Sequence, residues 1–219
     1  PKSSATISFL AQPTLKISNT ETGIKGSWET INGATGYVIT RSEYSDADKK
    51  FITTVKLGTA GATVKSFTDK TAKEGVKYKY TVTAINDYGS SVASSGKVLR
   101  RLAQPVVTIE NANGAIKGKW NQVTGATNYA VYRSEFVDGA WTKWKKLGTA
   151  GATAKSFTDK TAVSGKTYRY TVRAINGSVK STYKASNTLL YLAQPAVSFS
   201  NASNGMKVSW KAIPGATGY

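Results

Sequence analysis

The chain of 219 residues contains one long stretch twice and the beginning of it a third time. The tetrapeptide Leu-Ala-Gln-Pro begins at Leu10, Leu102 and Leu192, and these starts are 92 and 90 residues apart. The first tryptophan after each start keeps the same distance from it: Trp28, Trp120 and Trp210. This pattern predicts a tandem array of small domains, each with its own core, rather than one large core.

The copying is most accurate in one part of the unit. Residues 57–72 and 147–162 differ only at Val64 and Ala154. Catalytic sites are seldom duplicated so closely, whereas spacers and multivalent binding proteins often are. The repetition therefore favours a role without catalysis.

The repeat starts divide the chain into four segments. Residues 10–101 and 102–191 are each long enough for one small domain. Residues 1–9 align with the end of the second unit, so we expect them to be the last strand of a preceding module. Residues 192–219 correspond to the first strands of a truncated third module, and we expect a window from a longer array. Too few residues are present there to cover the following apolar side chains: Val197, Phe199, Met206, Val208 and Trp210.

Two residue types are absent, and their absence excludes several classes of site. The chain has no cysteine, so it has neither disulfides nor thiolate metal sites. It also has no histidine, which excludes histidine-based hydrolases and zinc sites.

No apolar run is long enough to span a membrane. The many Thr, Ser, Val and Tyr residues favour strands, so the composition predicts an all-β chain.

The chain is strongly basic, with a formal net charge of +18 at pH 7. Leu10–Arg101 contains 14 basic and 8 acidic residues, and Leu102–Tyr191 contains 13 and 4. Such a charge attracts anionic wall polymers, acidic glycans, nucleic acid or lipid headgroups without choosing among them. The simpler interpretation is that lysines on the outward faces of strands keep the domains soluble.

Each unit contains seven short strand patterns separated by turn residues, as in a β-sandwich. Residues 24–28 alternate apolar and polar side chains, which predicts one buried face. The longest alternating run is Gly75–Asn86, and its counterpart is Gly165–Asn176. We predict that the last strand covers 91–99 in the first unit and 182–190 in the second.

An ordered set of short motifs occurs in both units. In the first unit it comprises an early proline, a tryptophan that ends the second strand, and three peptide motifs: Gly-Ala-Thr-Gly-Tyr-Val (33–38), Phe-Thr-Asp (67–69) and Tyr-x-Tyr-x-Val-x-Ala-x-Asn (78–86). This set resembles the fibronectin type III module, in the form common in secreted and surface proteins of Gram-positive bacteria. The resemblance extends over nearly all of Leu10–Tyr191.

The resemblance implies tandem seven-stranded Greek-key sandwiches of immunoglobulin-like type. Tyr78 and Tyr168 would then be tyrosine-corner residues, with hydroxyls bonded to nearby backbone. Trp28 and Trp120 would be structural residues of the core. The Arg-Gly-Asp tripeptide of some animal modules is missing, so integrin-type binding is not implied.

Trp144 is the best single candidate for contact with a ligand. It aligns with Thr54 and has no aromatic counterpart in the first unit, whereas Trp141 aligns with Phe51 and is expected to be buried. Nearby lysines suggest that Trp144 lies at an exposed strand edge. The basic residues expected to accompany it in a binding face are Lys143, Lys145, Lys146, Arg169 and Arg173.

The acidic residues do not form a recognisable catalytic or metal motif. Glu43, Asp46 and Asp48 are close in sequence but lack the glycine and closing glutamate of a calcium loop, so we expect a solvated loop. Asp69 and Asp159 are in turns, where an aspartate commonly bonds nearby backbone amides. We expect no metal, no cofactor and no enzymatic activity.

Three hypotheses about function remain open. The first is that the units are spacers on a bacterial surface or secreted protein, with short proline-containing joins that restrict the orientation of neighbouring modules. The second is multivalent binding of an anionic wall polymer or glycan through basic faces. The third is self-association by strand exchange between nearly identical modules. Specific nucleic-acid binding is not expected.

Overall fold

The computed structural model describes residues 9–219, so the strand expected at residues 1–9 lies outside the described residues except for Phe9. The chain forms two compact units. The first contains the residues up to Gln104 with Val123–Ala126 and Asn176–Thr182, and the second contains Pro105–Gln122, Thr127–Ile175 and Tyr183–Tyr219. All regular structure in residues 9–219 is β-strand, which confirms the all-β prediction. None of this part of the chain forms a helix that could cross a membrane.

The strands of the first repeat form two antiparallel sheets. They are β1 (Lys16–Asn19), β2 (Ile24–Ser27), β3 (Gly36–Ser45), β4 (Lys50–Gly61), β5 (Ser66–Asp69), β6 (Lys77–Asn86), β7 (Gly89–Ser90) and β8 (Lys97–Arg100). One sheet has the order β1-β2-β5. The other has the order β4-β3-β6, and both β7 and β8 pair with β6. When β7 and β8 are taken as two pieces of one last strand, the predicted seven strands are present.

Aromatic rings from both sheets fill the space between them. Trp28, just after β2, lies 5.2 Å from the Tyr37 ring of β3. Phe67 of β5 lies 5.5 Å from Tyr80 of β6. The inward side chains of β6 are fully buried, so the alternation predicted for this strand is confirmed. Burial of these rings from water is the main driving force that holds the sheets together.

The second repeat has the same two sheets. Its strands are β9 (Val107–Ala112), β10 (Ala115–Trp120), β11 (Asn128–Val137), β12 (Ala140–Trp141), β13 (Lys145–Gly151), β14 (Ser156–Asp159), β15 (Thr167–Asn176), β16 (Val179–Lys180) and β17 (Leu189–Leu190). One sheet has the order β9-β10-β14, and the other is built around β11 and β15. Trp120 packs 5.3 Å from Tyr129, and Phe157 packs 5.0 Å from Tyr170.

The last strand of each repeat is shorter than the sequence predicted. Residues 91–96 and 181–188 form no continuous strand, so the predicted spans 91–99 and 182–190 were wrong. In the first repeat, serine side chains replace part of the backbone hydrogen bonding that a regular last strand would make with β6. The Ser94 hydroxyl accepts the Val82 amide at 2.9 Å, and the Ser91 hydroxyl accepts the Ala84 amide at 3.0 Å. These side-chain bonds satisfy the amides of β6 without a regular neighbouring strand.

The final segment forms one hairpin, β18 (Val197–Ala202) with β19 (Gly205–Trp210). The expectation that its apolar residues are short of packing partners is confirmed, because all of them are exposed. Trp210 therefore differs from Trp28 and Trp120, which are buried. It is 46% exposed, and its ring lies 5.5 Å from that of Tyr219.

Candidate functional site

A buried ionic network connects the two sheets of each repeat. In the second repeat, Asp159 at the end of β14 accepts hydrogen bonds from Arg133 and Tyr170, both at 2.8 Å. Its other oxygen accepts the Thr161 amide at 2.8 Å and the Thr161 hydroxyl at 2.6 Å. The bond from the Thr161 amide confirms the predicted turn contact. The arginine and the tyrosine were not foreseen, because they come from distant strands.

The first repeat contains the same network with matching distances. Arg41 and Tyr80 donate to Asp69 at 2.8 Å, and Thr71 bonds the other oxygen. In both repeats burial alone would raise the pKa of the aspartate, but the hydrogen bonds outweigh it and hold that pKa below its ordinary value. A carboxylate with all these partners is tied into the fold and is not available as an acid or a base.

The two tyrosines implied as corner residues lie next to these networks. The Tyr78 hydroxyl accepts the Lys73 amide at 3.0 Å, and the Tyr168 hydroxyl accepts the Val163 amide at 3.1 Å. The guanidinium carbon of Arg41 lies 4.9 Å from the centre of the Tyr78 ring, and Arg133 has the same distance to Tyr168. Each tyrosine therefore links a turn to the ionic network.

The outer face of the second sheet differs between the repeats, and in the second repeat it carries a row of aromatic rings and guanidinium groups in contact with one another. Arg169 lies 4.3 Å from the centre of the Trp141 ring and 5.0 Å from that of Trp144. Trp144 meets Tyr183 edge to face at 6.1 Å, and Arg173 lies 5.3 Å from the Tyr183 ring. We call this row the aromatic–arginine ladder, and it comprises Phe136, Trp141, Trp144, Arg169, Arg173 and Tyr183.

Strand register explains how the ladder forms. Arg169 and Arg173 point outward from β15, because successive side chains alternate and the core residues of this strand are Tyr168, Tyr170, Val172 and Ala174. The two arginines lie opposite Ser134 and Ala130 of β11. The ladder covers this face so well that Ser134 and Thr171, although outward, are almost fully buried.

Hydrogen bonds fix the two segments that carry the other rings. Thr142 lies between the tryptophans, and its carbonyl accepts from the Ser134 hydroxyl at 2.8 Å. The Thr142 hydroxyl accepts the Glu135 amide at 2.9 Å. On the other side, the Thr171 hydroxyl donates to the Lys184 carbonyl at 2.8 Å, next to Tyr183. The rings are thus held by tethered backbone rather than by a free loop.

Two expectations about the tryptophans need correction. Trp141 is only partly buried, because it lies on the outer face between Phe136 and Arg169 and not in the core. Trp144 is also partly buried rather than exposed, since Arg169 and Tyr183 cover part of it. Tyr183 is a further member of the face that the sequence did not suggest. It is 46% exposed and lies in the irregular segment before β17.

A depression of about 140 Å³ lies at the end of the ladder that contains Trp144, Arg173 and Tyr183. Its lining residues come from the two strands β11 and β15 and from two connecting segments: Tyr132, Trp144, Thr171, Arg173 and Tyr183. The three lysines expected at this face are exposed in and beside β13: Lys143, Lys145 and Lys146. Lys146 lies opposite Tyr132 in the sheet register, on the outer face. Lys145 lies opposite Arg133, whose side chain points inward, so the expectation that Lys145 belongs to this face was wrong.

The first repeat keeps only a reduced form of this arrangement. Tyr44 and Phe51 pack edge to face at 5.2 Å, and Lys79 lies 6.0 Å from the Phe51 ring. Thr54 and Ala93 occupy the positions of Trp144 and Tyr183, and Thr83 occupies that of Arg173. The sandwich therefore folds without the ladder residues that correspond to Trp144, Arg173 and Tyr183.

The acidic loop of the first repeat shows no arrangement suited to a metal ion. Ser45 donates to Asp48 at 2.6 Å, and the Asp48 amide returns a bond to the Ser45 hydroxyl at 3.0 Å. Within residues 9–219 there is no group of three or more acidic, histidine or cysteine side chains that could hold a metal.

Comparison with protein families identifies the class of this chain. The family model described as "Fibronectin type III domain SaeA third domain" matches residues 12–102 and again residues 105–188. These two matches cover most of the chain, so the chain belongs to this family and contains tandem fibronectin type III domains. The resemblance seen in the sequence motifs is thereby confirmed. A search of the curated proteins found no match.

Solved structures with similar folds include three chicken proteins. A segment of two fibronectin type III domains from chicken tenascin is 15% identical with a TM-score of 0.42, and the match covers 81% of this chain and 98% of that one. The FN1–FN3 domains of chicken CNTN1 are 13% identical with a TM-score of 0.39, covering 84% and 68%. The chicken interferon gamma receptor alpha chain is 10% identical with a TM-score of 0.42, covering 82% and 97%.

Family membership supports a general statement about role. Fibronectin type III domains are in general non-catalytic modules, and tandem copies fit a structural or presentation role.

Proposed function

We propose that these domains are extracellular spacers that hold another part of a bacterial surface or secreted protein at a distance from its attachment point. The observation that carries the proposal is that one self-contained sandwich is built twice with the same internal supports. Both repeats have the buried tyrosine that accepts a backbone amide and the buried arginine–aspartate–tyrosine network. Copies of a stable unit without catalytic groups are what a modular spacer requires.

The joins between modules support the same proposal. A proline follows the last strand of each repeat closely, at Pro105 and Pro195. Proline restricts the backbone, so such a join is short and stiff compared with a Gly/Ser linker. We expect neighbouring modules to keep a restricted orientation.

Small-angle X-ray scattering of the chain tests this expectation against a matched variant. The variant carries Pro105→Gly and a flexible Gly/Ser insertion after Gln104. The wild type should give a narrow distribution of shapes, and the variant a broader one. Equally broad distributions for both proteins would overturn the spacer proposal.

A second candidate function is multivalent binding of an anionic wall polymer or glycan. It is favoured by the excess of basic residues in both repeats, which is larger in the second. Weak contacts repeated along an array add up to a strong overall affinity. The affinity for a polyanion should fall steeply as salt is added, because counterions are released on binding. Affinity that does not change with salt would exclude this function.

Self-association by strand exchange is a third proposal, supported by the near identity of residues 57–72 and 147–162. Light scattering over a range of concentrations should then find dimers. If only monomer is found at every concentration, the proposal of self-association by strand exchange is wrong.

A further inference from the structure

From the ladder and its depression, we infer that the second repeat carries one binding site for an acidic carbohydrate. A sugar ring would pack in the corner formed by Trp144 and Tyr183, and Arg173 with Lys146 would bind its carboxylate. This site goes beyond the spacer function, and it narrows the second candidate function to one repeat and one ligand class.

The aromatic part of the argument rests on incomplete burial. Tyr183 is 46% exposed and Trp144 is only partly buried, although both are large apolar rings. Their rings meet at an angle of 83° and form two walls of the depression. Its volume of about 140 Å³ is on the scale of one sugar ring. Rings with an apolar face and a polar edge are suited to a ligand that is itself apolar on one face and polar at its rim.

The charge part of the argument rests on where the carboxylates of the second repeat are bound. Three of its four acidic side chains form salt bridges elsewhere: Glu110 with Lys119, Glu135 with Lys166, and Asp159 with Arg133. None of the salt bridges found in residues 9–219 includes Arg169 or the exposed lysines in and beside β13: Lys143, Lys145 and Lys146. Arg173 lines the depression and Lys146 lies opposite its lining residue Tyr132, so the rim is positive and complements an anionic ligand.

The first repeat shows that this arrangement is not needed for folding. At the matching positions it has Thr54, Thr83 and Ala93, and its Thr40 and Thr81 hydroxyls bond each other at 2.6 Å across the same two strands. A domain with the same topology and the same core thus forms without rings at the positions of Trp144 and Tyr183. The extra rings of the second repeat are available for another purpose.

The geometry favours a sugar over a nucleic acid. Single-stranded nucleic acids bind to flat ring faces on which successive bases stack. Here the Trp144 and Tyr183 rings are nearly perpendicular, and Arg169 lies over the Trp144 ring, so the rings form a corner and not a series of open platforms. A chair-shaped sugar ring fits such a corner better than a planar base.

The test uses an oligogalacturonate as the acidic probe, with its methyl ester as the neutral probe and polyphosphate as an anion without sugar rings. Binding to the full chain is followed by tryptophan fluorescence and calorimetry at moderate salt. The wild type should bind about one oligogalacturonate per chain and should prefer it to both other probes by about tenfold. The variant with Trp144→Thr and Tyr183→Ala carries the residues of the first repeat, and it should bind about tenfold more weakly.

Matched controls separate this site from general attraction of anions. The double variant keeps every charge, so its affinity for polyphosphate should equal that of the wild type. Lys77→Gln in the first repeat should leave oligogalacturonate binding unchanged. Unchanged near-ultraviolet circular dichroism outside the tryptophan bands would show that the double variant is folded.

Each other outcome has a definite meaning. If the double variant binds oligogalacturonate as well as the wild type, the sugar site is wrong, whereas salt-dependent binding of polyphosphate would still support the second candidate function. If the chain binds none of the probes, both are wrong, and the spacer function is untouched. Tighter binding of a single-stranded oligonucleotide than of oligogalacturonate would also overturn the site and would assign the face to nucleic acid.

Discussion

At the scale of the single residue, the buried aspartate of each repeat couples folding to ionisation. The side chains of Asp69 and Asp159 are each only 2% exposed, and each carboxylate contacts an arginine. Removing one partner of a buried ion pair is far more costly than the net value of the pair, because the other charge remains buried. The networks should therefore dominate the acid sensitivity of the protein.

The first prediction concerns Asp159→Asn. The folded-state pKa of this carboxyl lies below its ordinary value of 3.8, so its contribution is complete above that pH. The contribution is lost as the pH falls through the folded-state pKa. At pH 7 the substitution should lower the free energy of unfolding by about 3 kcal/mol. The wild type should lose stability below pH 3.8, and the variant should lose less.

Urea unfolding at pH 7 and at pH 3 measures both effects. Asp138→Asn is the control, because Asp138 is exposed in a loop and has a φ of 49°, which asparagine tolerates. The control should change stability by less than about 0.5 kcal/mol. Equal losses for the two variants would show that the buried network contributes nothing special.

The second prediction concerns the hydroxyl of Tyr168. Tyr168→Phe keeps the ring in the core but removes the acceptor of the Val163 amide, now bonded at 3.1 Å. The unfolding free energy should fall by about 1–2 kcal/mol, because a partly buried donor loses its partner. Hydrogen exchange of the Val163 amide should accelerate more than that of amides in β11. Unchanged exchange would contradict the role assigned to this bond.

At the scale of the strand, the irregular last segment shows where sequence patterns fail. The alternation in β6 and β15 was readable because one face is apolar and the other polar. Residues 91–96 also contain serines and a valine, as strands do. The hydroxyls of Ser91 and Ser94, however, accept hydrogen bonds from backbone amides of β6. Propensity does not distinguish a serine that faces solvent from one that replaces a backbone acceptor.

The candidate site was only partly predictable from the sequence. The sequence drew attention to Trp144, Arg169 and Arg173, because they have no close counterpart or are basic. It did not associate Tyr183 with them, since that residue belongs to the irregular segment. Nor did it place Trp141 on the outer face. Contacts among these residues depend on the register of β11, β13 and β15, which one sequence does not determine beyond the alternation of faces.

The third prediction tests the serine bonds of this segment. Ser94→Ala should lower the unfolding free energy by about 1–2 kcal/mol, because the buried Val82 amide loses its acceptor. Ser95→Ala is the control, since Ser95 is exposed. Urea unfolding of both variants gives the comparison. A Ser94→Ala variant as stable as the control would mean that the amide finds another acceptor.

At the scale of the whole molecule, the chain lacks the two side chains that ordinarily titrate nearest to neutral pH. It contains neither histidine nor cysteine. The formal charge of +18 should thus be nearly constant between about pH 5 and 8. The chain's electrostatic attraction for a polyanion should therefore not change with pH over this interval.

The fourth prediction follows from that constant charge. The logarithm of the affinity of the chain for polyphosphate should fall linearly with the logarithm of the salt concentration. The slope should be the same at pH 5.5, 6.5 and 7.5, because the number of counterions released does not change. Replacing Lys143, Lys145 and Lys146 with glutamine should reduce the slope by about one for each lysine that contacts the polymer, equally at all three pH values. Anisotropy of a labelled polyphosphate measures the affinities. A change of more than about threefold between pH 5.5 and 7.5 at fixed salt would show that an unforeseen group titrates at the binding face.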